Sequence, residues 1–147
     1  MSCRTAGEFF RGAPPPDGLI ALLQCTSLYP CPPAQLGLEV ISLYRQNYRF
    51  TVIGFSDHQD GIDMAPVAYT LGARIFEKHV TLSHSMKGSD HAMSLEPHGL
   101  EMYVRSLRRA REALGDGVKR RYEAEIPALV KQGRRDLIVE AAARRLS

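Results

Sequence analysis

The chain has 147 residues, of which 44% are hydrophobic and 24% are charged, and its formal net charge is +3. This length suits one ordinary domain, and the composition is that of a globular protein rather than a disordered one. No apolar run approaches the roughly 20 residues of a transmembrane helix, and the N-terminal residues lack the apolar stretch of a secretory signal. The sequence therefore predicts a cytoplasmic protein with no membrane partner.

The first half of the chain alternates between strand and helix patterns. Residues 1–18 include the Pro/Gly connector GAPPPDG and are predicted to form a flexible N-terminal segment. The apolar run LIALLQCTSLYP, which prolines stop, predicts a buried strand. PPAQLGLEVISLYRQNY predicts a helix, and RFTVIGFSDH predicts a second strand. The helix prediction rests on apolar residues at helical spacing, namely Leu36, Val40, Ile41 and Tyr44.

The second half continues the alternation. DGIDMAPVAYTLGA predicts a helix, ARIFEKHVTL a third strand, and residues 96–114 a long amphipathic helix that Gly115 closes. Residues 117–147 are predicted to be a basic helical tail or linker. A chain that alternates in this way predicts an α/β fold with parallel strands and right-handed crossovers.

The positive charge is concentrated near the C-terminus. From Arg105 onward there are 12 Lys/Arg against 6 Asp/Glu, whereas residues 1–104 hold 7 against 10. Such a tail is compatible with nucleic-acid binding, but no aromatic platform is interleaved with the basic residues. The sequence favours solvated helix faces and predicts no nucleic-acid partner.

Two histidines follow the predicted second and third strands. In parallel folds the chemistry lies beyond the carboxyl ends of the strands. The two-residue period of a strand places Ser56 and His58 on one face, and Glu77 and His79 on one face of the neighbouring strand. A single histidine of this kind is more often structural, but two at matching depth beside a carboxylate predict a metal or catalytic site.

Six segments carry a family resemblance: LLQCTSLYPCPP, VISLYRQNY, TVIGFSDHQDGI, LGARIFEKHVTL, KGSDHAMSLEP and SLRRAREALG. In order and spacing they resemble the sialic acid synthase family over residues 19–116. The resemblance implies a (β/α)8 TIM barrel followed by a small antifreeze-like domain. It also implies a transferase that condenses phosphoenolpyruvate with an N-acyl hexosamine, such as N-acetylmannosamine or its 6-phosphate.

The resemblance also assigns roles to individual residues. His58 and His79 are expected to hold a divalent metal, Mn2+ or Mg2+, and Glu77 and His79 are expected to be catalytic. The metal would act as a Lewis acid on the sugar carbonyl. Ser56 is expected to bind the phosphate of phosphoenolpyruvate, and the other expected substrate contacts are Ser27, Tyr29 and Asp90.

The chain departs from the family in its extent, because a complete (β/α)8 barrel takes about 250 residues. The pattern supplies only the last three strand–helix units, over residues 19–116, and nothing matching the antifreeze-like domain. The expectation is a partial barrel that is inactive alone. The alternative is a non-catalytic interaction protein, in which open strand edges pair with a second copy, forming a homo-oligomer, or with a full-length relative.

Overall fold

A computed structural model of the protein describes residues 20–132. The predicted flexible segment 1–18 and the tail from residue 133 lie outside the described residues. The chain divides at Gly115 into two compact units, which are considered separately. The strands of the first unit are β1 (Ala21–Cys25), β2 (Val52–Asp57) and β3 (Ile75–Lys78), and its helices are α1 (Glu39–Asn47), α2 (Met64–Leu71) and α3 (Pro97–Leu114).

The three strands form one parallel sheet in the order β1-β2-β3. A helix follows each strand along the chain, so the predicted alternation of three strands and three helices is confirmed. The register pairs Ser56 with Cys25 on one side and with Glu77 on the other. Because the strands are parallel, their carboxyl ends lie at the same edge of the sheet.

The core of this unit centres on β2, which has a neighbouring strand on both sides. Ile53 and Phe55 are 3% and 1% exposed, and they pack in one cluster with Ile41 of α1 and Ala68 of α2. Gly54, between them, has no room for a side chain, because a Cβ there would lie 2.7 Å from the Ile75 carbonyl oxygen. This close approach of β2 and β3 requires glycine.

The predicted helix over residues 32–48 is divided in two. Pro33–Gln35 forms a short 3-10 turn and α1 begins only at Glu39. Gly37 lies between them with φ +61°, a left-handed conformation that a continuous helix does not contain. The apolar spacing identified the helix but did not reveal this break.

The strands are shorter than predicted. β1 ends at Cys25, and the residues up to Pro30 form a loop. β3 ends at Lys78, and the residues after it pair with the segment before α3. The backbone carbonyl oxygen of His79 accepts from the Leu95 amide, and the Thr81 amide donates to the Leu95 carbonyl oxygen. An apolar run alone does not specify where ladder pairing with the neighbouring strand stops.

Two helices complete the described residues. α3 ends at Leu114, and Gly115 follows with φ +56°, as predicted. The second unit contains a 3-10 turn, Glu123–Glu125, and helix α4 (Ile126–Gln132), on which Ile126 and Val130 are exposed. No helix within residues 20–132 is long and apolar enough to cross a membrane.

Candidate active site at the carboxyl ends of the strands

Two imidazoles meet at the carboxyl edge of the sheet. His58 follows β2 directly and His79 follows β3 directly. Their ring centroids are 5.4 Å apart and the ring planes are almost perpendicular, at 89°. The parallel register brings the two rings together, because both strands end at the same edge.

Tyr29, in the loop after β1, adds a third ring. It stacks on His79 with the centroids 4.5 Å apart and an interplanar angle of 26°, and it meets the His58 ring edge-on at 5.6 Å. Its hydroxyl lies 3.5 Å from the Ser94 hydroxyl. One aromatic ring thus comes from the end of each strand, and the three rings restrict one another's orientation.

The hydrogen bond of His58 fixes its tautomer. Nδ1 lies 2.8 Å from the Thr26 carbonyl oxygen. Because a carbonyl oxygen only accepts, Nδ1 carries the hydrogen and donates, so in the neutral imidazole the lone pair is on Nε2. Nδ1 of His79 faces Oδ2 of Asp90 at 3.5 Å, which favours the same tautomer there. Histidines that bind metal ions through one nitrogen are usually oriented in this way through the other.

This donor set fits a divalent ion held by two protein ligands. Two neutral imidazoles with their Nε2 lone pairs free suit a first-row ion such as Mn2+ when oxygen ligands complete its shell. Within residues 20–132 no group of three or more His, Cys, Asp or Glu side chains is arranged to hold a metal. The described part of the chain therefore offers such an ion two imidazole ligands.

Ser56 and Glu77 form a second pair, one residue row deeper in the sheet. The Ser56 hydroxyl donates to Oε1 of Glu77 at 2.6 Å, a short bond of the kind expected for a carboxylate acceptor. Ser56 is buried, whereas Glu77 is exposed. Cys25 occupies the same row on β1, and its Sγ lies 3.9 Å from Nδ1 of His58. The thiol was not identified as part of the site from the sequence.

The remaining predicted substrate residues lie on loops. Asp90 is exposed beside His79 and belongs to a cleft of about 370 Å3 whose wall also includes Ser89, His91 and Ser94. His91 lies 2.8 Å from the Thr81 hydroxyl and so braces this loop. Ser27 is exposed and makes no side-chain hydrogen bond with any residue between 20 and 132. The structure gathers Tyr29, Ser56, His58, Glu77, His79 and Asp90, and Ser27 lies on the loop after β1.

A buried ion pair lies on the opposite side of the same two strands. Nζ of Lys78 is 3.3 Å from Oδ1 of Asp57, and their side chains are 3% and 0% exposed. Burial raises the pKa of the Asp57 carboxyl, although the Lys78 charge partly counteracts this. Burial and the nearby Asp57 charge raise the pKa of the Tyr103 phenol on α3. The pair was not predicted from the sequence, although two charged residues inside apolar strands were a signal for it.

Comparison with known proteins is consistent with this arrangement. A model of the NeuB family matches residues 13–119. The chain is 38% identical over 134 residues to N-acetylneuraminate-9-phosphate synthase of Homo sapiens, an alignment that covers 91% of this chain and 37% of that protein. It is 40% identical over 106 residues to N,N'-diacetyllegionaminic acid synthase of Campylobacter jejuni, covering 72% of this chain and 31% of that protein.

A solved structure is similar as well. The N-acetylneuraminic acid (sialic acid) synthetase of Leptospira borgpetersenii, in complex with citrate, matches with a TM-score of 0.63 and 32% identity. The match covers 79% of this chain and 40% of that one. The chain thus spans less than half the length of each of these three proteins.

Proposed function

The chain belongs to the NeuB family, and on that premise we propose that it forms part of a synthase that condenses phosphoenolpyruvate with an N-acyl hexosamine. N-acetylmannosamine or its 6-phosphate is the proposed acceptor. The observation that carries the proposal is the meeting of His58, His79 and Tyr29 at the carboxyl edge of a parallel sheet, above the Ser56–Glu77 pair. The relatives' names, N-acetylneuraminate-9-phosphate synthase and N,N'-diacetyllegionaminic acid synthase, support the substrate class.

In this proposal His58 and His79 hold Mn2+ or Mg2+ through their Nε2 atoms. When bound, the ion supplies Lewis-acid polarisation of the carbonyl oxygen of the open-chain sugar. The Thr26 carbonyl keeps His58 in the tautomer that presents Nε2, and the Asp90 carboxylate, 3.5 Å from Nδ1 of His79, favours the same tautomer there. Tyr29 stacks on His79 and limits rotation of that ring.

The other proposed roles follow from where the polar groups point. Glu77 accepts the Ser56 hydroxyl hydrogen through Oε1, which leaves its second oxygen able to hold a hydroxyl group or water at the reacting centre. Asp90 lies on the wall of the cleft beside His79, where its carboxylate can accept from sugar hydroxyl groups. Ser56 is proposed to assist in binding the phosphate, and Ser27 to contact the same substrate from the β1 loop.

We propose further that the three strands are consecutive units of a (β/α)8 barrel. Within the described residues β1 and β3 each have a neighbour on one side only, and a barrel is the arrangement that pairs every such edge. Among residues 20–132, the side chains gathered at the edge of the sheet include no lysine or arginine to hold the phosphate and carboxylate of phosphoenolpyruvate. These cationic groups are proposed to come from additional barrel strands, in the same polypeptide or in another.

A phosphate-release assay tests this proposal. The 147-residue chain, incubated with phosphoenolpyruvate, N-acetylmannosamine and Mn2+, is expected to release no measurable phosphate. Co-expression with a segment that supplies the other barrel strands is expected to restore turnover. Changing His79 to Ala should abolish the restored activity, while His98→Ala, on the exposed face of α3, should leave it unchanged. Restored turnover that does not need His79 would contradict the proposed site.

The second candidate is a non-catalytic interaction protein. The unpaired edges of β1 and β3 favour it, as does the exposure of Leu82, at 82%, close to the end of β3. In this case the chain should self-associate or bind a longer relative through these edges. Sedimentation of the purified chain, together with the activity assay, distinguishes the two candidates. A monomeric sedimentation coefficient would exclude pairing with a second copy.

A further inference from the structure

The backbone of Gln59, the residue after His58, is held through both its N–H and its carbonyl oxygen. Its amide donates to Oδ1 of Asp57 at 3.0 Å. Its carbonyl oxygen accepts from Nζ of Lys78, which is on the neighbouring strand. The same Nζ and Oδ1 atoms form the buried ion pair. The backbone that leaves His58 is therefore tied to β3 at the residue before His79.

The ion pair and the imidazoles occupy alternate positions along the same two strands. On β2 Asp57 lies between Ser56 and His58, and on β3 Lys78 lies between Glu77 and His79. Successive side chains of a strand point to opposite faces, so the pair lies behind the site without entering it. A shift of one strand relative to the other would separate Asp57 from Lys78 and would move the imidazoles apart.

Stability alone explains this pair poorly. Transferring two charges from water to the interior costs free energy, and exchanging a buried ion pair for apolar residues of similar volume is often neutral or stabilising. Oε1 of Gln59 is also buried without a hydrogen-bond partner among residues 20–132, which adds to this cost. Directional bonds to the Gln59 backbone are what apolar residues could not supply.

We propose that Asp57 and Lys78 are positioning residues. They hold the Gln59 backbone against β3 and thereby set the separation of the His58 and His79 rings. The claim about ring geometry stands on the contacts of this chain alone. The consequence for metal binding rests on the proposed function, since it assumes that both imidazoles are ligands.

The test uses the whole chain and a neutral replacement of the pair. Asp57→Asn combined with Lys78→Met leaves no unpaired charge and removes the donor to the Gln59 carbonyl. The control is Ile41→Val, which removes one buried methylene from α1 without touching the pair. Cross-ring nuclear Overhauser effects between His58, His79 and Tyr29 are measured by NMR. They should be lost in the double variant and kept in the control, and their retention in the double variant would overturn the proposal.

Two further measurements apply even where the double variant fails to fold. In the wild-type chain the Gln59 amide, although outside the β2 ladder, should exchange with solvent as slowly as the Phe55 amide inside it. Exchange of Gln59 at the rate of an unprotected loop would overturn the proposal. Lys78→Arg keeps a donor and the positive charge, so this variant should retain the cross-ring effects. Their loss in a folded Lys78→Arg chain would also overturn the proposal.

Mn2+ titration separates this proposal from the proposed function. The wild-type chain should bind Mn2+, and the double variant should bind it at least about tenfold more weakly, since preorganised ligands lose affinity when their support is removed. If the wild-type chain does not bind Mn2+, the proposed metal site fails, and the cross-ring effects still decide the positioning role. Equal Mn2+ affinity of wild type and double variant would overturn the positioning role.

Discussion

The two faces of the sheet formed by β2 and β3 meet opposite requirements. The site face consists of Ser56 and Glu77 with the imidazoles that follow them, and it holds polar groups that contact one another and are partly open. The core face is covered by helices, and its residues are Ile53, Phe55, Asp57, Phe76 and Lys78. Alternate residues of one strand thus face either the helices or the candidate site. A substitution on the core face should mainly affect stability and one on the site face mainly ligand binding, except at Asp57 and Lys78, which are proposed to position the imidazoles.

The largest expected effect comes from an apolar residue of the core face. Phe55→Ala should lower the free energy of unfolding by about 3–5 kcal/mol, because Phe55 is 1% exposed and its ring would leave a cavity. Urea denaturation followed by circular dichroism measures this loss. Phe50→Ala is the matched control, since Phe50 is 74% exposed and should change stability by less than about 0.5 kcal/mol. Equal losses in the two variants would remove the distinction between the buried core face and the surface.

The next largest loss of stability is expected at the Asp57–Lys78 ion pair of the core face, and it depends on pH. Lys78→Met leaves the Asp57 carboxylate buried without its partner, which should cost about 3 kcal/mol near neutral pH. Burial already raises the pKa of Asp57, and losing the Lys78 charge raises it further. The folded variant therefore takes up a proton at higher pH than the unfolded chain does, so its stability relative to wild type improves as pH falls.

Urea denaturation at about pH 7 and about pH 5 measures this dependence, with wild type at each pH as the reference. Lys87→Met, in an exposed loop, is the control and should show no such trend. A stability difference between Lys78→Met and wild type that is the same at both pH values would mean that Asp57 does not carry an uncompensated charge in the variant.

Substitutions on the site face should affect ligand binding more than stability. Changing both His58 and His79 to Ala removes ring contacts with Tyr29, which should cost about 1–2 kcal/mol of stability. Mn2+ binding, measured by calorimetry, should be abolished. His98→Ala is the control, because the His98 side chain is 83% exposed and should leave Mn2+ binding unchanged. Mn2+ binding by the double variant equal to that of wild type would exclude these imidazoles as ligands.

The smallest expected effect is at the Ser56–Glu77 pair. Ser56→Ala should lower stability by less than about 1 kcal/mol, because Glu77 is exposed and water can replace the lost hydrogen bond. A double-mutant cycle with Glu77→Gln measures the coupling of the pair by urea denaturation. A loss of unfolding free energy above about 2 kcal/mol for Ser56→Ala would mean that this hydroxyl contributes to stability as much as a core-face residue does.

Particular residues show how far sequence patterns reach in this protein. Helical spacing identified α1, but Gly37 and the 3-10 turn before it escaped detection, because a periodic apolar pattern does not report a single left-handed residue. The run ARIFEKHVTL predicted a strand of ten residues, whereas β3 has four. Its later residues pair instead with the segment before α3, a contact that depends on the path of a distant loop.

What the sequence by itself determined is the local order: three apolar strands alternating with helices, and two histidines at matching depth on the same faces as Ser56 and Glu77. These features follow from periods of 2 and 3.6 residues, which the chain carries in its own pattern. Only the tertiary structure decided that Asp57 pairs with Lys78, that Tyr29 stacks on His79, and that Cys25 joins the Ser56 row. Each of these depends on strand register or on the path of a loop, and neither is encoded in the period of a single segment.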